Sequence, residues 1–175
     1  MITVHCSKAL FAKLPLKETN TLRSPSENEH LHSPLGEWTA HLVTLKRKNC
    51  VIFVHNQTIF TLVATCLKKQ DFKNLDDIFA DLLLNVLMQV GASRQQTEKA
   101  MQWVQTLVFD ATTDRSTMGC INDIKRHMNY FVEDGNKIEM LPEYSFSLQM
   151  CRMPWFATRP KSIFPIEEML KLLDT

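Results

Sequence analysis

Apolar and polar residues alternate from the first residues of the chain. Ile2, Val4 and Cys6 share one side of ITVHC, a spacing that predicts a short strand. Ser7 can cap a short helix carrying Ala9, Leu10, Phe11 and Leu14. Residues 15–36 then lose periodicity and contain Pro15, Pro25 and Pro34, which predicts a long, exposed and mobile loop. Three segments rich in β-branched and aromatic residues follow: EWTAHLVTL (37–45), CVIFVH (50–55) and TIFTLVATC (58–66). The short separators KRKN and Asn56–Gln57 suit tight antiparallel hairpins, so a three-stranded meander is expected. The middle segment is apolar on both faces, which predicts a central strand covered by helices.

The period then changes. Ile78, Phe79, Leu82, Val86, Leu87 and Val90 recur at helical spacing between Asn74, a candidate N-cap, and Gly91, a candidate stop. Ser93 with Gln96 reads as a capping box for a second helix through about Gln105. Leu107–Ala111 reads as another strand. A third helix, 114–133, presents Met118, Ile121, Met128, Phe131 and Val132 inward and stops at Gly135. Residues 136–175 carry the weakest periodicity. YSFSLQM (144–150) alternates like a strand, yet Pro142 equally suits a helix start, whereas Pro165 opens a last helix on Ile166, Met169, Leu170 and Leu173. Strands first and helices later predict an α+β fold in one domain, 1–175. It has an antiparallel sheet on the 37–66 meander, one or two further strands and about three to five helices.

Composition narrows the function classes. Apolar residues make up 45% of the 175, enough for a core without staples. The formal charge of +1 argues against a generic DNA-coating or membrane-surface protein, while leaving room for a local basic patch. The cysteines (Cys6, Cys50, Cys66, Cys120 and Cys151) are odd in number and contain no C-x-x-C pair. That pattern predicts reduced thiols and a cytoplasmic location. No apolar run approaches a membrane span, and the N-terminus is too polar for a signal peptide. No cofactor or metal is implied. The pair His30 and His32 in the loop lacks a third ligand. P-loop, G-x-G-x-x-G, G-x-S-x-G and H-E-x-x-H motifs are missing.

Two stretches carry candidate chemistry. In TDRSTMGCIND, Arg115, Gly119 and Asn122 share one helix face with Arg126, and Ser116, Cys120 and Asp123 form a neighbouring one. Glycine within a helix costs about 0.5–1 kcal/mol relative to alanine, so it suits a place of close approach. Arg115 at a helix start can grip a phosphate or carboxylate. The structural alternative is that Asp114 caps, Arg115 pairs with an acid and Gly119 lets another element pack tightly. Asp110, Asp114 and Asp123 are the carboxylates available for catalysis. Lys46, Arg47 and Lys48 form a basic hairpin tip suited to nucleic-acid phosphates or an acidic partner, or simply to solubility. Trp38 can stack on a base, but in a strand it reads first as core. His5 and Cys6, adjacent in a strand, point to opposite faces and cannot pair.

Taken together, EWTAHLVTLKRKNCVIFVHNQTIFTLV and TDRSTMGCINDI resemble a bacterial family of uncharacterised domains, found alone or at the N-terminus of plasmid- and transposon-associated proteins. The resemblance rests on Trp38, Arg47, Lys48, Cys50, Thr58, Arg115, Ser116, Gly119, Asn122 and Asp123. It covers residues 1 to about 135 and extends weakly to MCRMP (150–154), where Cys151 stands in place of the family's usual asparagine. It implies a bacterial, intracellular gene borne by mobile elements, and no activity.

Three readings follow. The leading one is a non-catalytic binding or regulatory accessory module whose partner is a protein or nucleic acid. The second is an enzyme or ligand-binding protein holding an anionic small molecule at the start of helix 114–133, with Arg115, Ser116, Gly119, Asn122 and Asp123 around it. The third is a homodimer built on the Gly119 face.

Overall fold

The computed structural model describes residues 2–15, 33–104, 107–111, 115–135, 137–140, 142, 144–156 and 162–175, apart from the side chains of residues 115 and 116. Among the described residues five strands form one mixed sheet: β1 (Ile2–Cys6), β2 (Glu37–Leu45), β3 (Lys48–His55), β4 (Thr61–Leu67) and β5 (Leu107–Asp110), in the order β4-β3-β2-β1-β5. The meander is present, with β3 antiparallel to both β2 and β4. The expectation of an antiparallel sheet is corrected by β1, which is parallel to β2 and to β5. Parallel neighbours need long crossovers, and both are supplied. The segment after β1 passes through α1 (Lys8–Phe11) before β2, and the chain between β1 and β5 runs through the meander, α2 (Leu75–Gln89) and α3 (Arg94–Val104).

Local signals largely set the element ends. Ser7 accepts a hydrogen bond from the Leu10 N–H at 3.4 Å. The capping box is real: Ser93 N–H donates to Gln96 Oε1 at 2.8 Å, and Gln96 N–H to Ser93 Oγ at 3.2 Å. Gly91 and Gly135 take φ of +88° and +84°, the left-handed stop that glycine allows. Asn74, by contrast, makes no side-chain cap, because a 3-10 turn over Asp71–Asn74 leads straight into α2. The β3–β4 connection is also longer than two residues. His55 N–H donates to Phe60 O at 2.9 Å, and β4 begins only at Thr61.

The pleat divides the core in two. One face carries Val4, Trp38, Ala40, Phe53 and Leu62 against α2, α3 and α6 (Pro165–Asp174). Trp38 is fully buried with its ring 4.9 Å from Phe79 at right angles, and its Nε1–H donates to Leu35 O at 3.0 Å. Leu35 is itself wholly buried, so the end of the expected exposed loop is packed core. Residues 16–32, including His30 and His32, lie outside the described residues. The other face carries Val43, Ile52 and Val63 against α4 (Arg115–Glu133), whose Cys120, Ile121, Ile124, Met128 and Val132 point inward.

The ambiguous 144–150 stretch is helical: α5 spans Ser145–Arg152. It lies along β4, an edge strand, and its side chains do what a sixth strand would do. Val63 N–H donates to Ser147 Oγ at 2.8 Å. Thr61 N–H meets Cys151 Sγ at 3.3 Å, and that thiol donates back to Thr61 O at 3.2 Å.

Candidate functional site

Because Ile2, Val4 and Cys6 are committed to one core, the pleat turns His5 to the opposite face. Register places His5 between Thr39 of β2 and Asp110 of β5. His5 Nδ1 lies 3.0 Å from both carboxylate oxygens of Asp110, which is buried and therefore depends on such a partner. Beside this pair, Thr39 Oγ1 donates to Asn56 Oδ1 at 2.8 Å, and Thr117 Oγ1 approaches the same oxygen at 3.4 Å. Thr117 belongs to the first turn of α4, and Asn56 to the β3–β4 connection, where its N–H is held by Glu37 O at 3.0 Å. Polar groups from β1, β2, β5, α4 and a turn thus meet at the start of α4.

Asn56 also lines a cleft of about 600 Å³ together with Glu37, His55, Gln57, Lys99 and Trp103. Lys99 Nζ donates to Leu173 O at 3.2 Å, fixing α3 to the end of α6 at the cleft wall. His55 is buried and its pKa falls to about 4 through desolvation, so its ring is neutral near pH 7. Its Nδ1 accepts from the Thr58 N–H at 3.2 Å, which leaves the proton on Nε2. The cleft offers a cation, a carboxylate, two amides and an indole wall, a mixed lining suited to a polar small molecule.

The residues singled out in the sequence are placed as follows. Arg115 and Ser116 open α4 beside this cluster, but their side chains, and Asp114, lie outside the described residues. Gly119 is exposed, and among the described residues a methyl group there would meet nothing within 4 Å, so no described element packs on it. Asn122 shares that exposed face, and Asp123 pairs with Arg126 at 3.2 Å. Asp110 and Asp123 therefore engage different partners. At the hairpin tip Lys46 and Arg47 are exposed with φ of +44° and +66°, while Lys48 pairs with Glu139 at 3.1 Å.

The His5–Asp110 pair, the Thr39–Asn56–Thr117 cluster and the cleft residues escaped sequence reasoning. Polar residues at alternate strand positions, His5 in ITVHC and Asp110 closing LVFD, were the available signal.

Thiol chemistry is muted at Cys6 and Cys151. Burial raises Cys6 to about 12, with Asp110 adding to it, and raises Cys151 to about 12. Among the described residues no group of three or more His, Cys, Asp or Glu side chains is placed to hold a metal ion. No described helix is long and apolar enough to cross a membrane.

Compared with known proteins, residues 3–168 match the model of a family described as a domain of unknown function, DUF6933. No curated protein and no solved structure matches the chain.

Proposed function

The chain belongs to the DUF6933 family, and on that premise we propose that it is a non-catalytic binding module that takes a small polar ligand in the cleft beside Asn56. The observation that carries this reading is the position of Asn56. Its side chain joins the buried cluster at the start of α4, and it also lines a cleft of about 600 Å³. That volume is in the range of small-molecule sites, roughly 300–1,000 Å³. A ligand bound there is sensed directly by α4, as a regulatory accessory module requires. The bacterial, intracellular and mobile-element setting belongs to the same proposal and rests on the motif resemblance.

The second reading places an anion at the start of α4 itself. It is favoured by the buried Thr117 hydroxyl on that turn. Nucleic-acid binding through the KRK tip draws less support, because Lys48 is already paired with Glu139.

A thermal-shift screen against nucleotides, inorganic anions, divalent metals and short nucleic acids tests these readings. The cleft predicts a small-molecule hit that Lys99→Ala and Gln57→Ala weaken. A hit lost only with Arg115→Ala moves the site to the helix start. A response to nucleic acid alone, abolished by Arg47→Ala, overturns the proposal.

A further inference from the structure

Cys50 and Cys66 are sixteen positions apart in sequence and face each other across the β3–β4 ladder. The register runs Asn49↔Leu67 and Val51↔Ala64, so Cys50 alone on β3 stands opposite Thr65 and Cys66 on β4, the two-against-one arrangement of a β-bulge. Cys66 adopts φ +58° there. Both side chains lie on the same face of the sheet, Cys50 within the α4-side core and Cys66 packed against it. The Cys66 main chain lies close to the Cys50 sulfur, whose thiol donates to Lys48 O at 4.0 Å. Neighbouring strands of a sheet lie about 4.7–4.9 Å apart, within the roughly 4.4–6.8 Å between Cα atoms that a disulfide spans.

The other thiols are held elsewhere. Cys6 is on the opposite face, Cys120 is on α4, and Cys151 is engaged by the Thr61 main chain.

We propose that Cys50 and Cys66 form an oxidation site, at which a peroxide converts the facing thiols into an intramolecular disulfide. Accessibility assigns the roles, since Cys66 is half-buried and Cys50 is wholly buried. Cys66 loses its proton and attacks one peroxide oxygen. The O–O bond breaks, the sulfur becomes a sulfenic acid and the second oxygen leaves as water. The Cys50 sulfur then attacks the Cys66 sulfur, the S–S bond forms, and the sulfenic oxygen departs as a second water with the Cys50 proton. Two thiols are oxidised and one peroxide is reduced. The Lys48–Glu139 pair flanks the site, with Lys48 two residues from Cys50. The bridge therefore clamps the base of the Lys46–Arg47 hairpin to β4.

The test is hydrogen peroxide applied to the folded, full-length protein, followed by unfolding, alkylation and peptide mapping. The expected result is a loss of about 2 Da, protection of two of the five cysteines, and a cross-linked peptide joining Cys50 to Cys66. Cys66→Ser removes the cross-link, and Cys120→Ser leaves it intact. Wild-type protein in which Cys50 stays alkylatable while Cys66 proceeds to sulfinic acid overturns the proposal. A cross-link joining any other pair does so equally.

Discussion

At Asn56 a single amide oxygen receives the hydroxyls of Thr39 and Thr117, both buried. Asn56→Ala removes the acceptor of the buried Thr39 hydroxyl and is expected to cost about 1–3 kcal/mol in urea unfolding, whereas Asn56→Asp retains the acceptor and loses less. Gly119 behaves in the opposite way. Its surroundings are open and its backbone is helical, so Gly119→Ala is expected to stabilise the protein by up to about 1 kcal/mol. A loss of stability or of a dimer in that variant would identify the Gly119 face as an interface.

His55 gives the molecule a pH response. Its folded pKa of about 4 lies below the unfolded value of about 6.5, so the unfolded chain binds more protons between those values. Stability from this group is complete above pH 6.5 and falls as pH drops towards 4, by about 3 kcal/mol in all. Measured unfolding free energies that stay flat across that window would contradict the burial of a neutral ring.

At this scale the sequence was a fair guide where a residue's role is local. Trp38 read as core and is core. His5 and Asp110 did not read as a pair, because 105 positions separate them and only the insertion of β1 beside β5 joins them.

Among the elements, the β2–β3 hairpin, the capped α3 and the glycine-stopped α2 and α4 were legible because their signals lie within a few residues of one another. The hairpin turn nonetheless uses Lys46 and Arg47 at positive φ, where the two-residue turn favours Asn-Gly. Replacing the pair with Asn-Gly is expected to stabilise the protein by about 1 kcal/mol per relieved position, seen as a higher urea midpoint at unchanged slope. An unchanged midpoint would show that the turn is not strained.

α5 was ambiguous for a physical reason. Its sequence fits either period, and its helical form is tied to capping the β4 edge, a tertiary requirement. Ser147→Ala leaves the Val63 N–H without its 2.8 Å partner, with an expected loss of about 1–3 kcal/mol.

For the whole molecule, the α+β class followed from the order of the periodic segments, strands first and helices later, while the mixed sheet did not. Nothing in five residues of alternating pattern states whether the strand runs parallel to its neighbours. The placement of β1 in the sheet interior brings Thr39, Asn56 and Thr117 beside His5 and Asp110, and sets Asn56 at the cleft between α3, α6 and the β3–β4 turn.

If this cleft takes the ligand, amide and indole chemical-shift mapping with the compound from the thermal screen gives concerted shifts at Asn56, Gln57, Lys99 and the Trp103 indole N–H, with smaller ones along the first turns of α4. Shifts confined to Lys46 and Arg47, or to the Gly119–Asn122 face, with the cleft unchanged, would contradict binding in the cleft.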